Sequence, residues 1–216
     1  MKIFQQGILK SIFTIWLVLV MGLAYGGVGQ SGSGRTSFGA ITAFGSIFVS
    51  GIEYSTSTAN IIINGIPNQP ESALKLGMAV RVEGSINPDG LTGTATIVEY
   101  IGDIEGVVYA APVVTGTRGT FRIYGLVVNT DSKTIYDNVA GLAALVGGDV
   151  VEVSAFINEN DGSFTATRIE KKLAFRKVEL RGYVSNVTAT TFVLGPSLVV
   201  NYSAAQLRDK IGRAHV

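Results

Sequence analysis

Asp103 and Glu105 are the two residues best spaced for chemistry. Carboxylates two apart on a strand project from one face, and a close carboxylate pair can do general acid–base work at a glycosidic bond. Neither has a partner base or nucleophile nearby in sequence. A solvated strand edge joining two repeats is therefore the plainer expectation. The chain has no Cys and a single His, His215. A thiol nucleophile, a thiolate metal site and a disulfide are excluded, and a Ser-His-Asp triad would depend on His215 alone. No catalytic, cofactor-binding or metal-ligating residue is assigned, and no cofactor is expected.

Three other groups carry chemical potential. Arg168, Lys171, Lys172, Arg176, Lys177 and Arg181 form one basic stretch with Phe175 inside it. A basic stripe with an aromatic can bind a polyanion. Glu170 and Glu179 dilute it, and gatekeeper charges on a solvated linker strand account for the same residues. Asn158-Glu159-Asn160-Asp161-Gly162 has oxygen ligands at alternate positions, as a calcium loop does. No acidic residue follows at the distance that would close such a site, and Pro88 interrupts the matching turn of the first repeat. A plain hairpin turn is the expected reading. Finally, Phe48, Tyr54, Tyr100, Tyr109, Tyr124 and Tyr136 would make a glycan platform if they shared an exposed face. Aromatics are also ordinary sheet residues.

The elements that hold these residues are legible from composition. The chain has 216 residues, 27 of them Gly, and is 47% hydrophobic but only 15% charged. Such a length allows one or two cores. Abundant Gly with Val, Ile, Thr, Tyr and Phe is the composition of short strands and tight turns. Lys+Arg number 17 against 16 Asp+Glu, so no long-range field draws nucleic acid.

Internal repetition then organises the chain. Leu74-Lys75-Leu76-Gly77-Met78-Ala79-Val80-Arg81-Val82 matches Leu145-Val146-Gly147-Gly148-Asp149-Val150-Val151-Glu152-Val153 as L-x-x-G-x-x-V-x-V, with offset 145 − 74 = 71. Ala95-Thr96-Ile97-Val98-Glu99 matches Ala166-Thr167-Arg168-Ile169-Glu170 at 166 − 95 = 71. Ile47 to Tyr54, around Gly51, matches Phe121 to Val128, around Gly125. A third copy begins at Arg181-Gly182-Tyr183-Val184.

Each unit reads as five strands with a short helical turn before the fourth. Gly51 and Gly125 mark a tight hairpin or a bulge. Met78 to Ile86 and Asp149 to Ile157 alternate with period two, so Val80, Val82, Val151 and Val153 face a core while Arg81 and Glu152 point outward. Asn87-Pro88-Asp89-Gly90 and Asn160-Asp161-Gly162 are turns. The fold class expected is all-β, built of tandem small OB-like β-barrels. β-Sandwich repeats are the alternative.

These blocks resemble the family catalogued as domain of unknown function 5666. The residues that carry the resemblance are Phe44-Gly45-Ser46-Ile47-Phe48-Val49 with Gly51, the two L-x-x-G-x-x-V-x-V runs and the Ala-Thr-x-Ile-Glu endings. It spans residues 38 to 209 and implies a bacterial exported β-repeat protein, without an assigned activity. Members often carry a lipidated Cys before a Gly-rich stretch. Tyr25 stands at that place here, and no lipid anchor is expected.

The two ends complete the reading. Lys2 and Lys10 precede the apolar run Ile12 to Ala24, which is too short to span a bilayer comfortably. That is a secretory signal helix, cleaved near Gly26. The expected divisions are a signal peptide at 1–26, a Gly/Ser-rich tether at 27–37, repeat one at 38–102, repeat two at 103–174 and a partial third repeat at 175–210. Residues 211–216 (IGRAHV) read as a translated sequencing adapter. Leu207 should open a third L-x-x-G block, but Lys210 stands where the Gly belongs. The function expected is a non-enzymatic binding or structural module, periplasmic or at the cell surface, with an envelope or extracellular partner. It would meet the membrane only through its signal. A carbohydrate-binding or carboxylate-only accessory domain and a polyanion binder are the alternatives.

Overall fold

The computed structural model describes residues 35–158, 160–174 and 177–206. The signal segment, most of the tether, Glu159, Phe175, Arg176 and everything from Leu207 onward, including His215, lie outside the described residues.

The first unit contains β1 (Arg35–Ala40), β2 (Ile47–Val49), β3 (Ile52–Ser55), β4 (Asn60–Ile63), β5 (Ala79–Ile86) and β6 (Thr92–Tyr100). Their order in the sheet is β1-β5-β6-β3-β2, with β4 also on β6. The β3–β6 and β4–β6 pairs are parallel and the others antiparallel. A bridge from Ile41 to Val49 joins the two ends of that path. Strand β1 begins three residues inside the span expected to be tether, because Arg35 to Ala40 pair in register with β5.

The second unit repeats the pattern with β7 (Ile104–Val107), β8 (Val113–Thr115), β9 (Arg118–Ile123), β10 (Leu126–Thr130), β11 (Ile135–Asp137), β12 (Val150–Ile157) and β13 (Phe164–Lys172). The order is β7-β12-β13-β10-β9-β8, β11 lies on β13, and a bridge from Val108 to Ile123 joins β7 to β9. The molecule is therefore all-β with repeated sheets, and no described helix is long and apolar enough to cross a membrane.

Local chemistry explains the repetition. Ser50-Gly51 and Tyr124-Gly125 both take positive φ and close the β2–β3 and β9–β10 hairpins, the geometry that matches strand twist. A 3₁₀ turn, Glu71–Ala73 or Leu142–Ala144, delivers Leu74 and Leu145 into the two cores. Strands β5 and β12 carry a register shift at equivalent places, Glu83/Gly84 and Ser154/Ala155. Val80, Val82, Val151 and Val153 are fully buried, as their alternation requires. Arg81 faces solvent; Glu152 does not, because the neighbouring unit covers it. Truncating Val151 to Ala should cost about 1–2 kcal/mol. An unchanged denaturant midpoint for that variant would contradict its core assignment.

The stretch expected to open a third repeat divides in two. Strand β14 (Glu179–Leu180) adds to the second unit's sheet beside β7. Strands β15 (Val184–Ser185), β16 (Thr191–Leu194) and β17 (Leu198–Asn201) form a separate three-stranded sheet. Leu198 packs against the second core.

Candidate functional site

The chain leaves the first unit at Tyr100 and enters the second at Ile104. The short crossover Ile101-Gly102-Asp103 is pinned at both ends. The Gly102 N–H donates to Asn64 Oδ1 at 2.9 Å, and the Asp103 N–H donates to the Val153 carbonyl at 3.1 Å. Side chains from both units converge here. The Ala79 N–H donates to Ser154 Oγ at 2.7 Å, the Tyr100 hydroxyl donates to Glu152 at 2.8 Å, and Arg168 donates to the Leu76 carbonyl at 3.2 Å. Phe38 meets Phe156 edge-on at 5.6 Å.

Asp103 is not on a solvated edge. It is 4% exposed and its carboxylate accepts from the Ala155 N–H at 2.8 Å. Arg181 stands 3.5 Å away and also donates its N–H to the Asp103 carbonyl. Burial pushes the Asp103 carboxyl up to about 6; Arg181 and the Ala155 N–H pull it partly back. Glu105 is also buried, at 9% exposure. No hydrogen bond joins it to Asp103 among the described contacts.

Register places Glu105 in a row instead. Glu179 on β14 lies opposite Glu105, Glu105 opposite Glu152, Glu152 opposite Glu170, and Glu170 opposite Asp137. Five carboxylates thus cross five strands. Lys172 bridges Glu152 and Glu170 at 2.7 and 2.9 Å, Lys177 pairs with Glu179, and Arg168 pairs with Asp137. Burial raises the Tyr100 hydroxyl well above its ordinary pKa, and the Glu152 charge adds to this. Burial also raises Glu105, followed by Glu152. Asn64, Gly102, Ile104, Glu105, Glu152 and Glu179 line a crevice at this junction, too tight for a water molecule.

The basic stretch is consumed by these contacts. Arg168 is 5% exposed, and Lys171 pairs with Asp149 at 2.7 Å. Lys172, Lys177 and Arg181 hold the carboxylates already named. Arg168 and Arg181 are largely buried, whereas Lys171 and Lys177 form ion pairs that remain open to solvent and Lys172 is partly covered; Arg176 lies outside the described residues. The Asn158 turn is a hairpin. Asn158 Oδ1 accepts from the Asn160 N–H and Asp161 Oδ1 from the Ser163 N–H, which occupies both side chains locally. No group of three candidate metal ligands occurs among the described residues. The aromatics do not form one platform: Tyr54 and Tyr100 are core residues, while Tyr109 is 80% exposed.

Ser154, Glu152, Tyr100 and Asn64 were not singled out from sequence as junction residues. Ser154 and Glu152 occupy the strand parity that faces away from their own core, so alternation alone reads them as solvent-facing. No curated protein and no solved structure matches the chain. One family model does match, at residues 38–99 and again at 105–170, on the two units that meet at this junction. The chain belongs to the family described as Domain of unknown function (DUF5666).

Proposed function

We propose that this chain is an exported, non-enzymatic structural module of the cell envelope, in which two β units are locked into one rigid body. The observation that carries the reading is the junction. The two units are joined there by a buried hydrogen bond from the Ala79 N–H to Ser154 and a partly buried one from the Tyr100 hydroxyl to Glu152. A spacer or scaffold needs such a fixed joint, whereas an enzyme needs a concave site with groups free to react. The crevice at the junction has no room for substrate. Polyanion binding is disfavoured because Lys171, Lys172, Lys177 and Arg181 each have a carboxylate partner. Glycan binding is disfavoured because Tyr54 and Tyr100 are buried.

Within this reading each unit is a small OB-like barrel. The strand order β1-β5-β6-β3-β2 with a bridge back to β1, and the parallel β3–β6 pair, favour closure. A β-solenoid is the rival architecture for repeated sheets; it would stack strands of successive units in parallel ladders.

Backbone ¹⁵N relaxation of residues 27–206 tests the rigid joint. Amides of β5 and β12 should report one common rotational correlation time. Separate times for the two units, or hydrolysis of a polysaccharide abolished by Asp103→Asn, would overturn the reading.

A further inference from the structure

Like charges directly opposite each other across neighbouring strands destabilise a sheet. The row Glu179–Glu105–Glu152–Glu170 puts four of them side by side. Lys172 and Lys177 compensate three of the four. Among the described residues, Glu105 alone in the row has no side-chain hydrogen bond and no salt bridge; it is 9% exposed and lines the tight crevice with Glu152 and Glu179. An ionised carboxylate so placed is costly. A protonated one becomes a donor and can bond a neighbouring carboxylate.

We propose that Glu105 is a proton-operated catch on the seam between β7 and β14. With its proton, Glu105 donates to Glu179 and holds β14, and with it the three-stranded sheet, against the second unit. Without it, the two carboxylates repel and β14 loosens. The seam suits this role because it is short: two residue pairs, Glu179 with Glu105 and Leu180 with Ile104, plus the Arg181 N–H bond to the Asp103 carbonyl.

The charged groups that act on Glu105 among the described residues lie on β12, β13 and β14 and beside them. Glu152 on β12 and Glu179 on β14 raise it, Lys177 and Lys172 oppose them, and burial is the largest influence and raises it. Farther along the row stand Glu170, Arg168 and Asp137, and from the first unit Tyr100. Asp103, its carboxyl raised to about 6 by burial, faces Arg181 and acts in the same sense as Glu105, because the folded state binds its proton more readily than the released one. The sign for Glu105 follows from linkage. An acid raised in the folded state binds more protons there than when released, so the seam weakens as pH rises above the ordinary value of 4.5.

Amide hydrogen exchange of the full chain between pH 4.5 and 8, corrected for intrinsic rates, tests the catch. Protection at residues 179–181 should fall several-fold across that range, while β5 amides stay unchanged. Asp103→Asn should retain most of the fall, and adding Glu105→Gln, which keeps a neutral donor, should hold protection high at every pH. A pH-independent wild-type seam, or the same dependence once Glu105→Gln is added, would overturn the proposal. Equal tightening by millimolar calcium at pH 7.5 would overturn it as well, by making the row a cation site. Loss of the catch leaves the rigid joint between the first two units untouched, so the two readings fail separately.

Discussion

Gly77→Ala is expected to destabilise the chain by about 3 kcal/mol, whereas Gly148→Ala at the equivalent repeat position should cost about 1 kcal/mol. Both glycines follow the L-x-x pattern and both take positive φ, +80° and +96°. Each substitution therefore carries the same left-handed backbone penalty. They differ in what surrounds them. A Cβ at Gly77 would lie 2.6 Å from the Thr167 carbonyl oxygen and 3.0 Å from Arg168 Cβ, both in the second unit. A Cβ at Gly148 meets nothing within 4 Å. The difference between the two variants thus isolates the docking of one unit on the other. Relief of the clash would pull the Ala79 N–H from Ser154 and the Leu76 carbonyl from Arg168. Chemical denaturation should show a larger midpoint loss for Gly77→Ala, with the two units unfolding in separate steps. Equal losses in the two variants would mean that the units do not depend on this contact.

The second large effect concerns the residues after β13. The sequence reading expects a chain ending at Lys171 to be better behaved, because it lacks an unfinished repeat. The pairing of β14 with β7 argues for the opposite outcome. Ending at Lys171 removes Lys172, the bridge between Glu152 and Glu170, and removes β14, which covers the edge of β7. It also removes Arg181, the partner of buried Asp103. Ile104, fully buried now, would lie on an open strand edge. A chain of residues 27–171 should melt roughly 5–10 °C below one of residues 27–182, which keeps β14 and Arg181, for a loss of about 3 kcal/mol. It should also associate more readily in size-exclusion chromatography. If the shorter chain is monomeric and melts at least as high, β14 is not an integral strand of the second unit.

The sequence by itself determined the all-β class, the two repeated units, the places of their turns and their core valines. Each of these is a short-range property. Alternation along β5 and β12 names Val80, Val82, Val151 and Val153 as inward-facing because side chains on a strand change sides with period two. Gly51 and Gly125 mark a tight hairpin or a bulge, since both can need positive φ, and the structure makes each a hairpin. The repeat offset of 71 duplicates both signals, and the matching register shifts at Glu83/Gly84 and Ser154/Ala155 follow it.

Only the tertiary structure decided what covers the other face. Glu152, Ser154 and Phe156 have the parity of solvent-facing residues, and Arg168 belongs to an apparently solvated basic run. Their partners lie far away in sequence: Tyr100 is 52 residues from Glu152, Ala79 is 75 from Ser154, and Leu76 is 92 from Arg168. Periodicity reports that a residue faces away from its own core; it carries no record of a second unit docking there. The carboxylate row is hidden for the same reason. Glu179, Glu105, Glu152 and Glu170 come from four strands whose order in the sheet is not their order in the chain. Pairing set their register and turned acids scattered along the chain into one partly buried electrostatic seam.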